Sequence, residues 1–466
     1  MLVFVVRRTV ATLLVLLVAS FIVYTLTAMS GDPLRELRGS IDQSAQTRMA
    51  YLTDLLQLDV PPALRYFSWL GGAAGCLIGQ CNLGVAFSRG EQEVTAAIAT
   101  AASSTLQLVV IATILAVIVG VVVGMTTALR QYSGYDYTVT FLTFVFYSLP
   151  IFWVAVLLKE FGAIKFNEFL RNPNLTVGVI LLIAVVIGFL SSAMVGGRLA
   201  VRIRTFLISG AAAGALFGLL AATNWFTRPS IGIVGVILIS VATAAAILLI
   251  TTGLRHRREV ISAGVMVAVV AALWYPLQFP FFYLSNQWWL IPALVVVLTG
   301  VGALIGRLLG QDDWRAVAKS TAMIGALTVL PLVFDQMFIR WGEYLQRVPL
   351  SGGFIATIGA KTPALGRTDD QFLHHLDALS HMILPTLALM VVSVASYTRY
   401  SRASRLEVMN HDYVRTARAK GLTERTVIMR HAFRNAMIPI ATIIAIDFGA
   451  VIGGAIITER IFAWQG

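Results

Sequence analysis

Six basic side chains face a single acid, Glu424, between Arg415 and Arg434 of the stretch "DYVRTARAKGLTERTVIMRHAFRNAMIP" (412–439). Lys and Arg at this density can make charge-assisted hydrogen bonds to the carboxylates or carbonyls of another molecule. Ala417 and Ala419 lie among them and are small enough for a partner to come close. Elsewhere, "DDQFLHHLDALSH" sets Asp370, His374, Asp377 and His381 on one face if it is helical. That pattern is either metal-ligand chemistry or the solvated entry to a membrane span; the second reading is adopted, and no metal is assigned. Asp447 stands near the middle of an apolar run, where an acid costs on the order of 3 kcal/mol. It either lines a pathway or bonds to a neighbouring helix. Cys76 and Cys81 form either a small bridge or two free thiols. No G-x-x-x-x-G-K-[ST] occurs, so the chain reads as a non-enzyme with no nucleotide loop and no cofactor of its own.

The elements that position these groups follow from composition. With 58% hydrophobic and 12% charged residues and a mean hydropathy of +0.81, the 466-residue chain has too little polar surface for a soluble domain. The apolar run at 10–29 follows Arg7 and Arg8, is too long for a signal peptide, and reads as the first transmembrane helix. Further spans are expected at 106–129, 139–158, 177–195, 205–223, 231–252, 260–279, 289–309, 320–338, 381–398 and 438–457, eleven in all. The runs are continuous instead of alternating, which favours helices over a barrel.

Charge sets the orientation. With Arg7 and Arg8 in the cytoplasm, the inside loops hold Arg130, then Arg198, Arg202 and Arg204, then Arg255, Arg257 and Arg258, then Arg307, Arg315 and Lys319. Outside loops such as 224–230 and 275–288 carry at most one Lys or Arg, as the positive-inside tendency expects. The net charge of +12 is then a topology signal, not a sign of nucleic acid. Two longer segments fall outside: 31–100, with short amphipathic helices broken at Pro61-Pro62 and with both cysteines, and 339–380. A disulfide could persist there.

The basic island lands inside, and its pattern is helix, glycine, helix. Gly421 can adopt the left-handed conformation that ends the first helix, and Thr423 can cap a second, expected from Glu424 to about Asn435. Such a knuckle could retain the loop and touch anionic lipid, bind DNA, or dock on a cytoplasmic motor. Tethering by spans on both sides argues against DNA.

The stretch closely resembles the EAA loop (411–435) of the dipeptide, oligopeptide and nickel permeases of bacterial ABC importers. The resemblance continues in "SGDPL" (30–34), "LQLDVPPALRYFSWL", "NLGVAFSRGEQEV" (82–94), "YSLPIFWVAVLL" (147–158), "PLSGGF" (349–354), "ILPTLAL" (383–389) and "GGAIITERIFAWQG" (453–466). It implies an all-α polytopic protein with the type I ABC importer transmembrane fold and about six additional helices. By this resemblance Thr416, Ala417, Arg418, Ala419, Lys420, Gly421 and Leu422, with Glu424, would couple to an ATPase, and a bulky residue at Ala417 or Gly421 would uncouple transport. ATP and Mg would belong to two ATPase subunits. The other implied partners are a second permease, an extracytoplasmic binding protein and membrane lipid, in the bacterial cell membrane with the N-terminus cytoplasmic.

The implied organisation is an N-terminal permease core at 1–165 with spans 1–3, an inserted six-helix region at 166–340, and a C-terminal core at 341–466. The seams "IKFNEFL" (164–170) and "IRWGEYL" (339–345) share an order of basic, aromatic and Glu residues. Family members continue past "FAWQG" into a last helix, so a twelfth span is expected beyond the eleven. Pro150 would kink its span and act as a pivot on the pathway. Among the Gly-x-x-x-Gly pairs, Gly120/Gly124 and Gly449/Gly453 are preferred over Gly214/Gly218 and Gly302/Gly306 as close helix contacts. The resulting reading is a permease subunit moving short peptides by alternating access; the alternative is a self-sufficient secondary transporter or channel.

Overall fold

A computed structural model describes residues 2–38, 43–86, 92–251, 253, 256–348, 353–423 and 426–464. The chain divides into two compact units, 1–104 and 105–465. Among the described residues the fold is helical, apart from one two-residue strand pair in the first unit.

In the first unit, α1 (Leu2–Ser30) runs without Gly or Pro until Gly31 and exposes nearly all its apolar side chains, as a lipid-facing helix must. Two short helices follow, α2 (Arg35–Arg38) and α3 (Gln43–Leu55). Then α4 (Pro62–Gly75) starts at Pro62, whose fixed φ suits a first helical position. It lies against the C-terminal half of α1. The buried Tyr66 hydroxyl meets Ser20 Oγ at 2.8 Å and donates to the Leu17 carbonyl at 3.2 Å, while its ring packs edge-on against Phe21. Cys76 and Cys81 are joined by a disulfide. The chain then folds back on α4, with Gln80 N–H donating to the Gly75 carbonyl and Asn82 N–H to that of Gly72. Side chains at Gly72 or Gly75 would strike those returning residues. Strands β1 (Val85–Ala86) and β2 (Gln92–Glu93) pair antiparallel before α5 (Val94–Leu129) begins.

The second unit takes up α5 from Thr105. Next come α6 (Gly134–Ser148), α7 (Ile151–Leu157), a π-helical stretch (Leu158–Lys165) and α8 (Phe166–Arg171). The sequence suggested one kinked span over 139–158; instead the chain bends by 101° at the break between Ser148 and Ile151. Proline explains it: Pro150 is extended at φ −60, ψ 136 and heads the new helix, and the residue before a proline is itself pushed out of the helical region.

Helices α9 (Val177–Val195) and α10 (Leu199–Ala222) pair closely, with the Phe206 carbonyl just beyond Gly188 and that of Ala184 beyond Gly210. Then follow α11 (Gly232–Thr251), α12 (Arg257–Tyr283), α13 (Leu290–Leu309), α14 (Trp314–Leu327), α15 (Val329–Ile339) and α16 (Trp341–Arg347). The long α17 (Gln371–Met409), α18 (Asp412–Ala419), α19 (Phe433–Gly454) and α20 (Ile456–Phe462) complete the unit. Among the described residues nine helices are long and apolar enough to cross a membrane, ten if the bent pair is one span. α19 covers most of the expected run at 438–457.

One apolar core joins α11–α16 to the start of α17, through Met266, Leu298, Ile324, Leu332, Tyr344 and Phe372, all buried. Part of its polar seam is paired internally. Asp335 accepts from Trp274 Nε1 and from Gly232 N–H, both at 2.8 Å. The Arg340 guanidinium pairs with Asp370 at 2.6 Å, donates to the Gln336 and Phe281 carbonyls, and lies 4.6 Å from the Phe372 ring centre. Burial pushes the Tyr344 phenol above its usual range, so it stays neutral, and its hydroxyl donates to Asp377 Oδ1. Of the helices expected to be an insertion, α11–α15 thus pack onto the head of α17, whereas α9 packs on α10 and α6.

Candidate coupling site

Helix α18 is amphipathic. Val414 and Ala417 point inward and are buried, whereas Arg415, Thr416, Arg418 and Ala419 are exposed. Lys420, Gly421, Leu422 and Thr423 continue the exposed edge. Gly421 stops the helix at φ +76, a conformation in which a side chain is strained, and its N–H donates to the Arg418 carbonyl at 2.9 Å. Thr423 then caps the next turn: its Oγ1 accepts from Thr426 N–H at 3.4 Å and its carbonyl from Val427 N–H at 3.0 Å. Glu424 and Arg425 lie outside the described residues.

Beyond the elbow the structure differs from the sequence reading. No separate second helix ends near Asn435; a π-helical turn (Val427–Ala432) runs directly into α19. The end of the expected short helix and the apolar run of the next span share one helical path, within which Pro439 lacks a backbone N–H. Val427, Ala432, Ala436 and Ile440 close over Val414 and Ala417, together with Val121 and Met125 of α5 and Val408 of α17. Ala417 is therefore small for an internal reason: its methyl packs under α18 instead of lying on the outer face.

α5 and α17 cross where their backbones can meet. A Cβ on Gly120 would fall 2.6 Å from that of Tyr397, and one on Gly124 would overlap Ser401 Oγ. Ser401 Oγ instead donates to the Gly120 carbonyl at 3.2 Å. Gly302 and Gly306 do the same work between α13 and α14, against Thr321 and Ala318, whereas Gly449 has nothing within 4 Å. Alongside the crossing, Arg402 holds the buried Asp136 of α6 with two hydrogen bonds, at 2.9 and 3.0 Å. Sequence reasoning missed this pair, although an acid three residues after the helix-capping Ser133 and an arginine inside a spanning helix were visible signals.

The remaining expected residues are dispersed. Asp447 of α19 is half-buried and within hydrogen-bonding reach of Tyr397 on α17. Pro150 stands at the bend between α6 and α7. His374 Nε2 meets the Thr368 carbonyl at 2.8 Å. Asp377 accepts from Thr362 N–H, and His381 Nδ1 meets the Asp377 carbonyl. Asp370 caps α17 and pairs with Arg340. Each of these groups thus has its own partner at the head of α17, and no cluster that could hold a metal occurs among the described residues.

A knuckle of small and basic residues in a polytopic helical protein invites comparison with transport proteins. A family profile for the binding-protein-dependent transport system inner membrane component matches residues 214–466, just over half of the chain. The chain belongs to this family. The match starts at Gly214, inside the region that the sequence reading treated as inserted. The dipeptide transport system permease protein DppB of Escherichia coli (strain K12) is 52% identical over 91 residues, 20% of this chain and 27% of that protein. The glutathione transport system permease protein GsiC of Shigella flexneri serotype 5b (strain 8401) is 31% identical over 185 residues, 40% of this chain and 53% of that protein. The chain thus spans about a quarter of the one relative and about half of the other. Its many long apolar helices suit a multi-pass inner membrane component of that family.

Proposed function

We propose that this chain is the permease subunit of an ATP-driven importer of short peptides, working by alternating access. The observation that carries the reading is the α18 knuckle: an exposed edge of Arg415, Thr416, Arg418, Ala419, Lys420 and Leu422 on a buried apolar base. A surface of this kind suits a groove lined with carboxylates and carbonyls, since guanidinium and ammonium groups donate and small side chains permit approach. Two ATPase subunits, which would carry ATP and Mg, occupy that side. A second permease completes the pathway, and an extracytoplasmic binding protein delivers substrate. The names of the two relatives, for dipeptide and glutathione transport, support a short-peptide substrate. The chain sits in the bacterial cell membrane with its N-terminus cytoplasmic, in keeping with the Arg-rich loops on that side. Residues 1–165 and 341–466 form the permease core, and 166–340 form an added helical region, of which α11–α15 are braced on α17.

The test is to purify the tagged chain in mild detergent from its host and identify what accompanies it. Recovery of a second permease and ATPase subunits, lost on Gly421→Trp, supports the reading. Recovery of the folded chain alone would overturn it in favour of a self-sufficient transporter.

A further inference from the structure

Arg399 and Arg402 leave α17 one turn apart, and only the second has an acid. Arg402 is neutralised by Asp136 through two hydrogen bonds. Arg399 makes no ion pair among the described residues, and its buried Nε has no acceptor. Its guanidinium lies on the Tyr147 ring, 3.8 Å from the centre, with the Phe144 ring at 5.8 Å. A cation–π contact steadies the group without cancelling its charge.

Both arginines line a cavity of about 200 Å³ between α5, α6 and α17. Thr398 lines it as well; its side chain is 2% exposed, and its Oγ1 has no hydrogen-bond partner. The charges at the cavity are therefore two cations against one carboxylate, an excess of one positive. Two unused donors, Arg399 Nε and Thr398 Oγ1, belong to adjacent residues of its wall. A half-buried cation on a spanning helix is stabilised by a counter-charge, and unused buried donors need an acceptor. A single anionic oxygen group meets both needs, and the cavity has room for such a group but not for a whole lipid.

We propose that this cavity is an oxyanion site, which takes one carboxylate or phosphate group on Arg399 and Thr398. Two sources supply that chemistry: the phosphodiester of a membrane phospholipid, with its chains running out past the exposed Phe144 and Tyr147, or the carboxylate of a small solute. The site does not depend on the importer reading.

The experiment uses the full chain with whatever subunits co-purify, delipidated in a maltoside detergent, which has no phosphate. Thermal unfolding is followed while dihexanoyl-phosphatidylglycerol, inorganic phosphate, acetate, or a dipeptide and its C-terminal amide are titrated, because a ligand of the folded state raises the midpoint. Stabilisation by the phospholipid but not by acetate or dipeptide assigns a lipid phosphate. Stabilisation by acetate and by the dipeptide, but not by its amide, assigns a carboxylate. In either case Arg399→Gln should weaken binding at least tenfold, Arg399→Lys less so, and the near-isosteric Thr398→Val by about tenfold. If Arg399→Gln does not fold, Thr398→Val carries the test. No stabilisation by any probe, or equal stabilisation of wild type and Thr398→Val, overturns the proposal.

Discussion

Arg402 of α17 reaches both carboxylate oxygens of Asp136 on α6, 266 residues away in sequence, and so locks the two helices together. The Asp136 side chain is 3% exposed and that of Arg402 29%. Removing one partner leaves the other charge stranded. Asp136→Ala should therefore cost about 3–5 kcal/mol, whereas Asp136→Ala with Arg402→Met should cost less than Asp136→Ala alone. Thermal unfolding of the two variants in detergent checks the order; a double variant worse than Asp136→Ala would mean that the pair is not the source of the loss.

Helix crossings give a second contrast. Gly124→Leu must force α5 away from Ser401 and should cost about 3 kcal/mol or more. Gly449→Ala meets open space, and it should be neutral or stabilising by up to about 1 kcal/mol, because alanine suits a helix interior better than glycine. Parallel melts of the two variants decide the matter, and equal losses would contradict the crossing.

The knuckle separates folding from docking. Ala417→Leu overfills the core beneath α18 and should destabilise the loop by about 1–3 kcal/mol, seen as faster amide exchange over 412–436. Ala419→Leu changes only the exposed edge. It should leave exchange unchanged while abolishing recovery of ATPase subunits; full recovery would move the docking surface elsewhere.

At the head of α17, Arg340 and Asp370 are 11% and 21% exposed, and Asp370 also caps the helix through Phe372 N–H at 2.8 Å. Asp370→Ala should cost about 3 kcal/mol or more, combining a stranded guanidinium with a lost cap. Asp370→Asn retains the capping oxygen and should recover part of this. A melt in which both variants behave alike would remove the cap from the account.

The position of most spans and of the helix-glycine elbow was legible because long apolar runs, Gly421 and Thr423 are local signals, although nine or ten spans among the described residues stand against the eleven expected. Three features were not. The bend at Pro150 is much sharper than a proline kink, because Leu149 and Pro150 both leave the helical region. The inward packing of Ala417 depends on Val427 and Ala436, which meet it only after the chain turns at Gly421. The close approach at Gly302 and Gly306 looked no different in sequence from Gly214, where a Cβ would meet Ala184 at an ordinary 3.5 Å, and the open Gly218; only the partner helix distinguishes them. What sequence lacks in each case is the identity of the neighbour.

The run from Thr426 through the π-helical turn to Gly454 makes α18 a handle on a rod about 40 Å long. Val414 and Ala417 grip the rod near one end, and Asp447 lies towards the other. Leverage then follows from length: a tilt of about 10° at the gripped end sweeps the far end through roughly 7 Å, more than a helical turn. The π turn lies within the grip, through Val427 and Ala432, and Pro439 lies between it and Asp447, so the softness of these two places sets how much of that sweep arrives.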